Sequence, residues 1–105
     1  SNHGGRGMDS SISTIDALPK ITAEVGGETT VMLDSGIRRG SDIVKALALG
    51  ADFVLLGRAT LYGIATAGQE GAAKAISILA NEFEKTMGSL GRCTVDEIDR
   101  TVFPG

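Results

Sequence analysis

Apolar residues recur along this chain with two different periods, and the switches between them mark the elements. From Ser13 onward Ile15, Leu18, Ile21, Thr22 and Val25 fall three or four apart, a helical face that Ser13 or Thr14 can cap. Pro19 interrupts that pattern: either the helix kinks in its second turn, or a short turn precedes a helix beginning at Pro19. Gly26-Gly27 ends it in both cases. Residues 29–33, Thr-Thr-Val-Met-Leu, are β-branched and apolar and run into Asp34-Ser35-Gly36, which predicts a buried strand. Such continuous apolarity favours a parallel sheet covered on both faces. Ser41 is placed to cap a helix through Leu49, with Asp42 in its first turn and Ile43, Val44, Leu47 and Ala48 facing inward, until Gly50 stops it. Residues 52–56, Asp-Phe-Val-Leu-Leu, repeat the strand pattern and complete a βαβ unit.

A short helical stretch over residues 60–67 follows Gly57-Arg58 and closes at Gly68. The longest pattern comes next, over residues 70–90: Ala72, Ile76, Leu79, Phe83, Met87 and Leu90 recur at steps of 4, 3, 4, 4 and 3, one stripe on a long helix. The charges of that helix, Glu82, Glu84 and Lys85, read as a solvated face. Gly91 terminates it, and Thr94 with Glu97 makes a capping box for a last short turn. Two parallel strands cannot bury this many helices, and a (β/α)8 TIM barrel needs roughly 250 residues. The expected fold is therefore α/β, the C-terminal part of such a barrel, about its last two to three βα units. Residues 1–105 then form a single partial domain whose earlier strands are missing. The start at Ser1 instead of methionine, inside the polar cluster Ser1-Asn2-His3-Gly4-Gly5-Arg6, reads as a cut end.

Composition narrows the function classes. With 42% apolar and 22% charged residues the chain has ordinary globular content, and its net charge of -3 gives no basic surface for nucleic acid. Cys93 is the one cysteine, so an internal disulfide is excluded, zinc is unsupported, and a reducing, cytoplasmic setting is expected. No apolar run approaches the ~20 residues of a membrane-spanning helix. The 15 glycines among 105 residues ask for several sharp turns or close approaches to a ligand.

Candidate chemistry gathers where barrel enzymes carry it, just beyond the strand ends. Asp34-Ser35-Gly36-Ile37-Arg38-Arg39-Gly40 follows the first strand, Gly57-Arg58 follows the second, and the short helix after it is out of series. Backbone N–H groups beside Gly36 and Gly57 can approach a phosphate, helix N-termini favour its charge, and a guanidinium can clamp two of its oxygens. Asp34 suits a ligand hydroxyl or the ordering of its own loop. Either turn alone reads equally well as an ordinary βα connection; both together point to phosphate binding. His3, the single histidine, carries an imidazole suited to general-base work, and Arg6 can hold a carboxylate with two bonds. A lone histidine in a polar loop otherwise reads as merely solvated.

Taken together, Ser-Asn-His-Gly-Gly-Arg, Asp-Ser-Gly-Ile-Arg-Arg-Gly, Lys-Ala-Leu-Ala-Leu-Gly-Ala and Leu-Gly-Arg resemble the C-terminal third of the FMN-dependent α-hydroxy acid dehydrogenases and oxidases. Glycolate oxidase, lactate dehydrogenase and mandelate dehydrogenase belong to that family. The resemblance covers essentially the whole chain. It implies that FMN is the cofactor, that His3 is the catalytic base and also touches substrate, and that Arg6 binds the substrate carboxylate. It implies further that Ser1 contacts the flavin, that Asp34, Ser35, Gly36, Ile37 and Arg38 line its ribityl chain and phosphate, and that Gly57 with Arg58 completes the phosphate site. Asp9 matches an acidic position of the family. Gly7-Met8 stands where Gln-Leu is common, and Ser35 where many members have glycine. The family's flavin-contacting lysine, its active-site tyrosines and the aspartate that orients the histidine all precede Ser1.

The function this implies is oxidation of an L-2-hydroxy acid to a 2-oxo acid by an FMN-dependent (S)-2-hydroxy-acid dehydrogenase or oxidase. Its partners are then a small 2-hydroxy acid and, in the full-length enzyme, further copies of itself; some members also attach peripherally to membranes. The isolated 105-residue chain, with an incomplete electron-sink site, is expected to be inactive. Two other readings stand beside this one. A non-catalytic half-barrel that binds phosphate or FMN and completes another chain fits two strands with open edges. Another FMN barrel enzyme, related to IMP dehydrogenase or an isomerase, would share the phosphate turns without these roles for His3 and Arg6.

Overall fold

The computed structural model describes residue 3 and residues 5–104. Along it run α1 (Thr14–Val25), β1 (Met32–Leu33), α2 (Gly40–Ala48), β2 (Phe53–Val54) and α3 (Arg58–Ser89), followed by two 3-10 turns, Val95–Glu97 and Arg100–Val102. α1 starts where the Ser13 hydroxyl accepts the Asp16 N–H at 3.3 Å, so Ser13 is the cap and Thr14 the first helical residue. The helix passes through Pro19 as one element. One backbone N–H is lost there, but buried Leu18 and its half-buried neighbours Ile15 and Val25 anchor the same face on both sides of the proline.

β1 and β2 pair in parallel, Met32 with Phe53 and Leu33 with Val54. Hydrogen bonds reach one residue further each way, from Asp52 and Phe53 to the Val31 carbonyl and from Leu55 to that of Leu33. The ladder is shorter than the five-residue runs suggest, partly because the Asp52 carboxylate, not a strand carbonyl, accepts the Val31 N–H at 2.7 Å. Residues alternate strictly across the pair. Val31, Leu33, Val54 and Leu56 pack into one cluster with Leu18 of α1 and Ala46 of α2, while Met32, Phe53 and Leu55 are more than half exposed. The expectation of two covered faces therefore holds for one face only: both helices lie on the same side, and the other side is open within this chain.

α2 corrects a second expectation. Its cap position is Arg39, and Ser41 lies inside the helix; the capping acceptor is Asp42, whose carboxylate takes the N–H groups of Arg38 and Arg39, each at 3.0 Å. The helix ends at Gly50, with φ +99.

α3 is two helices joined end to end. Ala67 and Gly68 have non-helical dihedrals, φ being +55 at Gly68, so the short helix and the long one expected from the pattern both exist. Their close crossing explains part of the glycine content. A Cβ on Gly63 would overlap the Gly71 backbone, and one on Gly71 would overlap that of Gly63. Of the long stripe, Leu79 and Met87 are buried, whereas Ile76 remains 54% exposed, so only its middle and far end face this chain's own core. Gly91 at φ +67 and the Arg92 N–H on the Met87 carbonyl close the helix in a Schellman turn. Ile98 then folds back onto Val44, Ala48 and Met87, a second core cluster, with the predicted Thr94–Glu97 capping box starting the return.

A second backbone-to-backbone joint is at Gly40. A Cβ there would coincide with the backbone of Glu82 and Phe83, so the start of α2 lies directly on the long helix of α3. The Gly40 N–H donates to the Glu82 carboxylate at 2.9 Å, and Arg39 Nε donates to both of its oxygens at 2.9 and 3.0 Å. Gly40→Ala is expected to destabilise the protein by about 1–3 kcal/mol, because neither backbone can yield without moving a helix. Chemical denaturation checks this, with Gly88→Ala as the comparison, a helical glycine of α3 whose added Cβ meets nothing within 4 Å.

Candidate functional site

Because β1 and β2 are parallel, the turns that follow them emerge at the same edge of the pair. The first turn carries two successive left-handed residues, Ser35 at φ +77 and Gly36 at φ +80. A left-handed serine is uncommon and marks a sharply turned loop. Surrounding contacts hold the turn at both ends. The Thr14 hydroxyl donates to the Asp34 carbonyl at 2.7 Å, fixing the exit of β1 against the start of α1, and Asp42 holds the backbone of Arg38 and Arg39. On the second turn Gly57 caps α3, and the Thr60 hydroxyl returns to the Gly57 carbonyl at 2.9 Å.

Between these turns opens a cleft of about 730 Å³. His3, Arg6, Asp34, Ser35, Gly36, Ile37, Arg38, Gly57 and Arg58 all line it. Every site residue expected from the sequence is thus brought to one place except Ser1, which lies outside the described residues. Leu55, Leu56, Thr60, Leu61 and Ile64 complete the walls. A second hollow of about 720 Å³ adjoins the first across Arg6, Ser35, Gly36 and Arg58, and Met8 and Ile12 give it an apolar rim.

The electrostatics of the cleft follow from its inventory. Three guanidinium groups, Arg6, Arg38 and Arg58, face one carboxylate, Asp34, and α3 presents its N-terminus, the positive end of the helix dipole. Such a site suits an anion. Leu55, Leu61 and Ile64 add apolar surface to the same cleft, each more than half exposed within this chain.

Three features of the site were missed by the sequence. The apolar wall from Leu61 and Ile64 comes from the out-of-series helix, whose spacing alone gave no face. Arg38 lies 5.8 Å from the centre of the Tyr62 ring. Glu82, read as part of a solvated face, instead ties Arg39 and Gly40 to α3; a partner 43 residues earlier leaves no trace in local periodicity. Among the described residues no cluster of His, Cys, Asp and Glu could hold a metal ion, and no helix is long and apolar enough to cross a membrane.

These features define an α/β cleft suited to an anion. A family model described as FMN-dependent dehydrogenase matches residues 1–104. The chain belongs to the FMN-dependent dehydrogenase family, and FMN is the cofactor this membership indicates. It is similar to an L-lactate oxidase of Nostoc sp., 50% identical over 99 residues, which is 94% of this chain and 27% of that protein. A peroxisomal (S)-2-hydroxyacid oxidase of Arabidopsis thaliana is 51% identical over 100 residues, 95% of this chain and 28% of its own length. Among solved structures, a soluble mutant of the membrane-associated (S)-mandelate dehydrogenase from Pseudomonas putida superposes with a TM-score of 0.90 at 45% identity, over 97% of this chain and 29% of that one. The chain spans little more than a quarter of the length of the relatives it matches.

The joint behind the first turn holds a carboxylate whose titration bears on stability. Hydrogen bonds from Arg39 and then from the Gly40 N–H hold the Glu82 carboxyl below the usual carboxylate range, and Glu82 in return raises Arg39. A carboxyl lowered in the folded state favours folding above its ordinary titration range and loses that contribution as pH falls through the folded value. The wild-type melting temperature should therefore drop more steeply from about pH 6 to about pH 3 than that of Glu82→Gln. Parallel curves for the two proteins would show that the joint carries no such linkage.

Proposed function

We propose that this chain is the C-terminal part of an FMN-dependent (β/α)8 barrel enzyme that oxidises an L-2-hydroxy acid to a 2-oxo acid. Residues 1–105 on this reading are one partial domain, its last two to three βα units. The open face of Met32, Phe53 and Leu55 supports that placement, since alternate strand residues of a closed barrel point into a packed interior. The single observation that carries the functional reading is that His3 and Arg6 share one cleft with both glycine–arginine turns.

Asp34, Ser35, Gly36, Ile37 and Arg38, with Gly57 and Arg58, hold the ribityl chain and phosphate of the cofactor, the guanidinium groups meeting the phosphate charge. Arg6 takes the substrate carboxylate with two parallel hydrogen bonds, which fixes the hydroxyl-bearing carbon relative to the imidazole. Conversion of the alcohol to a ketone removes two protons and two electrons, and His3 takes a proton from the substrate as general base. FMN, when bound, supplies the acceptor for the two electrons. The cationic surroundings of His3 favour an anionic substrate without depending on which side chain the hydroxy acid carries. We read the whole enzyme as cytoplasmic and homo-oligomeric; the exposed thiol of Cys93 suits a reducing compartment.

Anaerobic mixing of the flavin-containing enzyme with lactate, glycolate or mandelate should bleach the flavin absorbance. His3→Asn should slow that bleaching by roughly 10²- to 10⁴-fold while leaving FMN bound. Arg6→Met should raise the substrate concentration for half-maximal rate by about tenfold or more, the loss of a charge-assisted pair. A His3→Asn enzyme reduced at the full rate would remove the base assignment.

A further inference from the structure

We infer that Tyr62 is a positioning residue for the cofactor phosphate: its ring holds the Arg38 guanidinium in the orientation that meets the anion. The inference rests on the reading of the cleft as an FMN site and adds to it a residue that does not line the cleft. Arg38 Cζ lies 5.8 Å from the centre of the Tyr62 ring, within the range of a cation–π attraction. A guanidinium is planar, and its two modes of recognition are orthogonal. Its face attracts an aromatic ring, whereas its edge carries the N–H groups that clamp a phosphate, so both partners can be engaged together.

The rest of Arg38 is already fixed. Its backbone N–H is bound by the Asp42 carboxylate at 3.0 Å, and the residue begins just past the left-handed Ser35-Gly36 pair. What remains free in an arginine so held is the long side chain, which has substantial rotamer entropy to lose when it binds. Tyr62 lies on the first helix of α3, the same helix whose N-terminus carries Gly57 and Arg58. The ring thus links the two arms of the site: a residue from the second turn's helix steadies the cation of the first. The Thr66 hydroxyl, bonded to the Tyr62 carbonyl at 2.9 Å, lies one helical turn further on in the same helix. Tyr62 itself is 59% exposed, so burial does little to hold its ring in this chain.

The test is the affinity of the whole enzyme, stripped of flavin, for FMN and for riboflavin, which lacks the phosphate, read by quenching of flavin fluorescence. Tyr62→Leu should weaken FMN binding by about two- to fivefold, the worth of an exposed cation–π contact, and leave riboflavin binding unchanged. Tyr62→Phe should restore FMN affinity, because the attraction is to the ring. In an Arg38→Gln background Tyr62→Leu should have no further effect. Equal losses for FMN and riboflavin, or a Tyr62→Leu effect that persists without Arg38, would overturn the inference and leave the phosphate reading standing. Unchanged FMN affinity in Arg38→Gln itself would overturn both.

Discussion

A ladder of two residue pairs cannot hold two strands in register unaided, and the cleft depends on that register, because turns from both strands line it. The contact that fixes it lies behind the strands, where the start of α2 rests on the backbone of the long helix at Gly40. No side chain separates them. The Glu82 carboxylate occupies the position of a strap, receiving the Gly40 N–H and the Arg39 side chain from one helix while rooted in the other. Since α2 begins where the first turn ends, and the long helix is joined to the second turn through the Gly63–Gly71 crossing, this one joint relates the two turns to each other. Glycine is required at each contact for the same reason: backbone has to approach backbone.

The cationic character of the cleft is a consequence of that frame. Arg38 and Arg39 are neighbours in sequence but are sent in opposite directions, because the extended backbone at Arg39 puts successive side chains on opposite sides. Arg39 turns back to Glu82 and is neutralised; Arg38 turns to the cleft. A net charge of -3 over the whole chain therefore coexists with a cleft of three arginines and one aspartate. Bulk charge says nothing about a local anion site, which depends on placement.

Much of this was legible in the residues. Helical and strand periods located α1, β1, α2, β2 and both halves of α3, and the glycines at 50, 68 and 91 ended elements where left-handed dihedrals were needed. The two turns that line the cleft were legible as candidate sites because glycine and arginine follow two apolar runs. What local pattern could not carry was any decision made at a distance. Ser41 has the right chemistry for a cap, but Asp42 wins because its carboxylate reaches two N–H groups at once. Glu82 looks solvated until α2 arrives beside it, and the apolar strand runs look doubly covered until only one face finds helices. The single helix through Pro19 belongs to the same class: packing of the Leu18 face decided what propensity left open.

The two kinds of chemistry in the cleft are supported in different ways. Asp34, Ser35, Gly36, Arg38, Gly57 and Arg58 stand at the ends of strands and the starts of helices, elements whose backbones are braced by Asp42, Glu82 and the crossing glycines. His3 and Arg6 belong to the turn-rich segment ahead of α1. The Thr14 hydroxyl on the Asp34 carbonyl pins the end of that segment to the end of β1. The general-base role proposed for His3 demands that an imidazole be placed to within a fraction of an ångström of its target. A loop gains such placement from what it is tied to, and the Thr14–Asp34 bond is one such tie.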